Sequence, residues 1–321
     1  MLKQLTLGLL LLALALPGAL LAQNYPAKPI RLVVGFTPGG GVDINARLLG
    51  AKLSEYLGQQ VIVENRPGAG TNIANEFVAK AAPDGYTLLM STATVAINMA
   101  LYKRLNYDTL RDFTAVSLFS ASPNILVVNA AVPVTSVAQL VALARARPGT
   151  LNYSTAGSGS TQHLSGELFK TRTRTDIVHI PYKGTAPALT ALISGDVDLS
   201  FANIPAIHAH VKSGRLRPIA STGPKRSELM PEVPTMQEAG VDMEVVVWYG
   251  VLAPAATPPE IVNRLAQLVA RAARAPEVRQ RLLDQGAEPV GNTPEEFSRQ
   301  LRAEVATWAE VVKSSGAKAD E

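Results

Sequence analysis

Ile30-Arg31-Leu32-Val33-Val34-Gly35-Phe36-Thr37-Pro38-Gly39-Gly40-Gly41-Val42-Asp43 decides how this chain is read. An apolar run breaks at three consecutive glycines, and a helical period starts directly after them. Val42, Ala46, Leu49, Leu53 and Tyr56/Leu57 recur at three- and four-residue spacing, and Gly58 stands where a helix C-cap belongs. The pattern predicts a buried strand, a tight turn and a helix N-terminus, where backbone N–H groups can receive an anion. Such a turn holds a phosphate, serves catalysis or captures a small solute.

The phosphate reading is weak. The turn lacks the Lys-Ser/Thr of a P-loop, and Ile44 stands where the last glycine of G-x-G-x-x-G would be. Asp43, in the first helical turn, competes with a phosphate for the same dipole. It is either a helix cap or a group that positions the loop or a ligand-bound water.

Outward from this stretch, Val61-Ile62-Val63 predicts a strand and Arg66-Pro67-Gly68-Ala69-Gly70 a turn. A second helix has Ile73, Phe77 and Ala81 along one face and stops at Pro83-Asp84-Gly85. The strand Tyr86 to Met90 ends in Ser91-Thr92-Ala93. The order βαβαβ predicts a parallel sheet with helices on its faces. Residues 113–129 read as one strand leaving this sheet and another entering a second. A helix bearing Val137, Leu140, Val141 and Ala144 follows.

Leu151 to Thr161 then repeats the opening device: a strand, a turn of small residues, and a new helix carrying Leu164 and Leu168. Further βα units are predicted at residues 177–182, 197–203 and 216–222. Val245 to Leu252 crosses back to the first sheet. Pro258-Pro259 opens a helix with Ile261, Leu265 and Leu268 on one side. Thr293-Pro294-Glu295-Glu296 fits a capping box for a last helix with Phe297, Leu301, Val305 and Trp308 facing inward. Arg271, Arg274, Arg279 and Arg281 form a solvated face, with an anionic docking patch as the alternative.

Composition narrows the class. At 321 residues, two domains around separate cores are expected. Apolar residues at 47% and charged residues at 17% mark a globular chain. The net charge of +4 comes without a dense Lys/Arg block, which argues against a nucleic-acid partner. Lys3, the apolar stretch Leu5 to Leu16 and a cut near Ala22-Gln23 fit a secretory signal peptide over residues 1–22. An uncleaved anchor is the alternative, though the run is shorter than the ~20 residues a span needs. The chain has no cysteine, which excludes disulfides, thiol catalysis and Cys-ligated zinc. An exported chain of this kind points to a bacterial periplasm.

An enzyme finds little support. Ser158 and Ser160 lie near His163, but no G-x-S-x-G elbow exists. His208 and His210 stand two apart on a helix and make a poor metal pair, and His179 reads as a structural histidine. No catalytic residue, metal or cofactor is assigned. What remains is two small-residue turns, each at the carboxyl end of a strand, the edge where open α/β sheets bind ligands. Facing each other, they would enclose a small solute, with backbone N–H groups and the hydroxyls of Thr37, Thr155, Ser158, Ser160 and Thr161 as donors. A carboxylate satisfies many such donors at once.

Several stretches match a known family. Tyr25-Pro26-Ala27-Lys28-Pro29-Ile30, Val34-Gly35-Phe36-Thr37-Pro38-Gly39-Gly40 with Asp43, and Val63-Glu64-Asn65-Arg66-Pro67-Gly68-Ala69-Gly70 resemble the Bug family. These are extracytoplasmic solute receptors of tripartite tricarboxylate transporters. Pro83-Asp84-Gly85-Tyr86, Ala156-Gly157-Ser158-Gly159-Ser160 with His163, Pro181-Tyr182-Lys183-Gly184, Gly195-Asp196-Val197-Asp198 and Trp248-Tyr249-Gly250 extend the resemblance over the whole mature chain.

The resemblance implies an α/β, two-lobed periplasmic binding protein (type II, Venus-flytrap), each lobe a mainly parallel sheet flanked by helices, and no catalysis. Lobe 1 would comprise residues 23–122 and 247–321, and lobe 2 residues 123–246. The implied ligand is a small organic acid, and the implied partners are integral membrane transporter subunits, for a receptor that acts as a monomer. Carried over by position, the first lobe would bind through Phe36, Thr37, Gly39, Gly40, Gly41 and Asp43, with Ser91 and Thr92 nearby. The second would use Thr155, Ala156, Gly157, Ser158, Gly159, Ser160, Tyr182, Gly184 and Asn203. Ala202 stands where relatives often carry an acid that could pair with a ligand amine, so a carboxylate without an amine is expected. A receptor that presents solute to a signalling partner is the alternative role.

Overall fold

The computed structural model describes residues 25–182, 184–317 and 319. The expected signal segment 1–22 lies outside the described residues. The chain opens with β1 (Ile30–Val34), α1 (Gly41–Leu57), β2 (Val61–Asn65), a 3₁₀ turn (Ala69–Thr71), α2 (Asn72–Ala79), β3 (Thr87–Ser91) and α3 (Thr94–Leu101). It continues with β4 (Phe113–Asn129), α4 (Val137–Ala146), β5 (Asn152–Thr155), α5 (Thr161–Thr173), β6 (Val178–Pro181), α6 (Thr185–Ser194), β7 (Leu199–Asn203), α7 (Ile204–Lys212) and β8 (Leu216–Ser221). It closes with β9 (Val246–Pro254), α8 (Pro259–Arg274), α9 (Pro276–Asp284), β10 (Glu288–Pro289) and α10 (Pro294–Ser315).

The strands follow the order β2-β1-β3-β9-β4-β7-β5-β6, with β8 and β10 also on β4. Outer pairs are parallel (β1 with β2 and β3, β5 with β6 and β7), and the inner pairs involving β4 and β9 are antiparallel. The two strands expected over residues 113–129 are one continuous strand of 17 residues. β4 pairs with β9 as far as Pro123, opposite Val246, and with β7 from Asn124, opposite Asn203. A proline has no N–H to donate, and it sits where the strand exchanges partners. The expected βα unit at residues 216–222 ends differently: β8 is followed by turns, not by a helix.

Three apolar clusters cover the sheet faces. Ile30, Leu32, Val34, Leu88 and Met90 pack under α1 and α8. Ile125 and Val127 pack with Leu192 and Ile207 of α6 and α7. The largest cluster runs through both sheets, joining Val33 and Leu89 to Leu126 and Phe201 and to Phe297, Leu301 and Trp308 of α10. The start of α10 carries the predicted capping box between Thr293 and Glu296. Gly250 allows the helix to sit on the backbone of β9, since a Cβ there would stand 2.6 Å from Phe297 Cζ. The Glu304 carboxylate accepts Trp248 Nε1–H at 2.7 Å and Gln300 Nε2–H at 3.0 Å, while burial pushes its carboxyl up from the ordinary value.

Ala74, Asn75 and Val78 of α2 face the core, Ile73 is exposed, and Ala81 lies past the helix end. Phe77 is half-buried at the surface between two guanidinium groups, Arg66 at 3.8 Å and Arg31 at 4.9 Å from its ring centroid. These cation–π contacts give an apolar ring a place outside the core. Emptying the junction of α10 with β9 tests the packing. Phe297→Ala should lower unfolding stability in urea by about 3–5 kcal/mol, and a loss below about 1 kcal/mol would show that α10 does not hold the two sheets.

Candidate functional site

The first glycine turn is built around a charge turned away from its open side. Gly39 adopts a left-handed conformation with φ +85°, and its N–H donates to Asp43 Oδ2 at 2.9 Å. The same oxygen accepts Arg47 Nε–H at 3.0 Å, and Oδ1 accepts Asn65 Nδ2–H at 2.9 Å. Asn65 also donates to Phe36 O at 3.0 Å, which fixes the exit of β1. Burial opposes the Asp43 charge. The hydrogen bonds from Arg47, Gly39 and Asn65 and the Arg47 charge outweigh that cost and hold the carboxyl below the usual carboxylate range. Asp43 therefore positions the loop. It does not close the helix end, because Gly40 is the N-cap of α1 and offers no side-chain cap. Thr37, Gly39 and Gly40 are exposed there, and Phe36 and Gly41 are half-buried. The first-turn N–H groups of α1 thus face the exterior without a side-chain acceptor.

The second turn has a different economy of donors. Ala156 N–H donates to Gln162 Oε1 at 2.7 Å, Gly157 N–H to Thr155 Oγ1 at 3.2 Å and Ser160 N–H to Gly157 O at 3.2 Å. Gly159 N–H donates to His163 Nδ1 at 3.1 Å. Ser160 Oγ donates to Gly157 O at 2.7 Å and caps α5 by accepting His163 N–H. The hydroxyls of Thr155 and Ser160, expected as ligand donors, are thus engaged within the loop. Tyr182 backs this turn, with its N–H donating to Thr155 O at 3.0 Å. Gly184 and Asn203 are the N-caps of α6 and α7, and neither forms a side-chain cap.

Ser91 and Thr92 are buried at the end of β3, where the Thr92 and Thr94 hydroxyls bond to each other. The α3 helix that follows them meets the second turn. A Cβ on Gly159 would stand 2.8 Å from Leu101 Cδ2 and 3.6 Å from Asn98 Oδ1. On the other side, Ile204 at the start of α7 approaches Gly286, with 3.0 Å between its Cδ1 and a Cβ placed there. The carboxyl edges of both sheets are therefore brought to one region.

Sequence reading missed the polar side chains along the crossing strand. Ser120 Oγ donates to Asn45 Oδ1 at 2.7 Å, and Asn45 Nδ2–H donates to Gly41 O at 2.8 Å, tying the first turn to β4. Tyr249 lies beneath Gly41, where a Cβ would stand 2.6 Å from its hydroxyl, and it pairs with Ser122. Asn124 Nδ2 and Asn203 Oδ1, on directly opposed residues of β4 and β7, are buried with no partner among the described residues. Ser120, Ser122 and Asn124 recur at every second position of an otherwise apolar strand, a period legible in the sequence. Ala202 is buried in the cluster with Ile125, Val127 and Leu192. The position alternates away from Asn203, so it does not select ligands by touching them.

Ser160 Oγ caps a helix and His163 Nδ1 accepts a backbone N–H, so they form no nucleophile–base pair. His179 is held by Thr155 at 2.7 Å, as a structural histidine. Among the described residues no group of three metal-ligating side chains converges, and no helix is long and apolar enough to cross a membrane. An open groove between α1, α8 and α9 lies on the first sheet's side alone, where Arg271 stacks 4.0 Å over Tyr56 and Lys52 joins Glu55 and Glu277.

Comparison with known proteins gives the family. The family described as "Tripartite tricarboxylate transporter family receptor" matches residues 45–317. The chain belongs to that family. It is 38% identical to Protein BugT of Bordetella pertussis over 97% of each chain. It is similar to the structure of R. palustris Rpa4515 with adipate, with a TM-score of 0.84 and 42% identity, covering 92% of this chain and 100% of that one. It is also similar to MatC from Rhodopseudomonas palustris with bound malate, with a TM-score of 0.81 and 33% identity, covering 90% of this chain and 100% of that one. This chain is accordingly a Bug-type solute-binding receptor of a periplasmic family with the two-lobed fold, and it is not an enzyme.

The buried charge in the first turn is testable through pH. The folded-state pKa of Asp43 is depressed, so its stabilisation is present above about pH 4 and lost as pH falls through the folded value. Asp43→Asn should melt below the wild type at about pH 7, and the gap should narrow as pH falls below about 4. A gap that does not change with pH would assign the effect to shape and not to charge.

Proposed function

We propose that this receptor captures a small dicarboxylate between the two glycine turns and delivers it to the membrane subunits of a tripartite tricarboxylate transporter. The uncapped N-terminus of α1 carries this reading. Its N–H groups have no side-chain acceptor, the macrodipole favours an anion there, and the nearby Asp43 charge is answered by Arg47, Gly39 and Asn65. Relatives bound to adipate and malate support a carboxylate as the ligand.

In this reading Phe36, Thr37, Gly39, Gly40 and Gly41 form the first jaw, with Asp43 as its internal support. The second jaw is residues 155–160, with Tyr182, Gly184 and Asn203 beside it, and Ser91 and Thr92 carry α3 against it. Tyr249, Ser122 and Asn124 floor the cleft. Lobe 1 comprises residues 23–122 and 247–321, lobe 2 residues 123–246, and closure bends the crossing strands β4 and β9. Ligand leaves to the transporter from the periplasm, where an export signal at residues 1–22 would place the receptor.

Gly40 separates ligand contact from folding. Its φ is −81°, and a Cβ there would meet only Thr37 O, at 3.8 Å, so the fold accepts a side chain. Adipate and malate should raise the melting midpoint of the wild type in proportion to the logarithm of concentration. Gly40→Trp should melt like the unliganded wild type yet lose at least about 100-fold in affinity by calorimetry. Unchanged affinity in the folded variant would remove the first turn from the site.

A further inference from the structure

Two histidines hold the second turn from behind. His163, in the first turn of α5, is buried, and its Nδ1 accepts Gly159 N–H at 3.1 Å. His179, on β6, bonds through Nε2 to Thr155 Oγ1 at 2.7 Å, and that hydroxyl accepts Gly157 N–H at 3.2 Å. The two imidazoles stack with centroids 4.0 Å apart and planes 16° apart. Both ends of the turn thus rest on one stacked pair. Gly159, left-handed at φ +79°, is also the residue that meets Leu101 of α3. The bond made by His163 therefore fixes one of the points at which the two halves of the molecule touch.

A ring nitrogen accepts a backbone N–H only when it carries no proton. Protonating Nδ1 would set one N–H against another and place a charge in a buried stack, where an unpaired donor is costly. Among the described residues, Tyr153, Glu167 and Lys170 are titratable groups near the pair. Tyr153 of β5 lies 5.0 Å from the His179 ring, and burial with the neighbouring Glu167 pushes its phenol up, so it remains a donor. Glu167 of α5 accepts the Tyr153 hydroxyl at 2.7 Å and pairs with Lys170 at 2.8 Å, which gives its charge two partners.

We propose that His163 and His179 are positioning residues for solute capture, and that capture requires His163 in its neutral form. The proposal rests on the carboxylate reading of this cleft. As pH falls from about 8 to about 5, the range in which imidazoles change charge, the turn loses its anchor at Gly159 and the bound acid is released.

The test compares wild type, His163→Asn and His163→Leu, measuring adipate affinity and the exchange protection of the Gly159 amide across this range. An asparagine carboxamide offers an acceptor near the place of Nδ1 that does not titrate. Wild-type affinity should fall about tenfold or more towards pH 5, the loss of about 1.4 kcal/mol that breaking one such bond can cause, and Gly159 protection should fall with it. His163→Asn should hold affinity and protection far flatter, and His163→Leu should be weak throughout. The acid's own titration affects all three proteins alike. An equal fall in wild type and His163→Asn, or an unprotected Gly159 amide in the wild type at pH 8, overturns the proposal. If adipate fails to bind the wild type at any pH, the dicarboxylate reading fails separately and Gly159 exchange decides alone. Acid-labile protection kept in His163→Asn supports the positioning role, and identical profiles reject it.

Discussion

The backbone hydrogen bonds of β4 go to β9 as far as Pro123 and to β7 from Asn124 onward, so one strand serves both sheets. Each sheet takes its orientation from it. The first turn is tied to β4 through Asn45 and Ser120, and Tyr249 and Ser122 pair beneath Gly41. On the far side of Pro123, Asn124 stands opposite Asn203, at the N-cap position of α7. Because a strand resists stretching but can bend or twist, the closure proposed for this receptor would bend the few residues where β4 and β9 cross. The apolar cluster spanning both sheets, with α10 laid over β9, limits that movement on one side.

The two turns look alike in sequence and differ in how their polar groups are spent. In the first, a buried carboxylate gathers the loop from inside while the N-cap position is left to a glycine. The cost of burying Asp43 is offset by three donors and one counter-charge, and the helix dipole stays available for something outside the chain. In the second, Ser160 caps the helix and Gln162, Thr155 and His163 take three of the loop N–H groups. That turn is made rigid by its own hydrogen bonds. A receptor that closes on a small acid gains from such asymmetry, because a preorganised wall costs little ordering entropy when an anion-seeking end is brought against it.

Much of the architecture was legible before any coordinates. The 3.6-residue period after Gly41, the Gly58 stop, the Thr293–Glu296 box and the inward faces of α8 and α10 all depend on local rules that tertiary packing left intact. Ile73 and Phe77 share one face of α2 as the spacing predicts, yet Ile73 is exposed and Phe77 half-buried, because apolar spacing reports amphipathicity without saying which neighbours wait outside. Arg31 and Arg66 supplied a surface place for an aromatic ring. The single strand at residues 113–129 was read as two because a proline inside an apolar run ordinarily marks a break. Here it marks a change of partner.

By itself the sequence determined most of the strands and helices, the two small-residue turns and, through the combination of motifs, the family. These follow from local chemistry: glycine where the backbone must come close, proline and capping residues where helices begin, alternation where a sheet has one buried face. Only the tertiary structure decided which donors remain free. Asp43 could equally have been a helix cap, and Ser160 and His163 could have faced a ligand. The choice depends on Asn65, brought in by β2, on Arg47, one turn further along α1, and on Gly157, placed by the bend of the loop itself. A hydrogen-bond donor has the same letter in the sequence whether it is spent or open, and its partner is fixed by the fold.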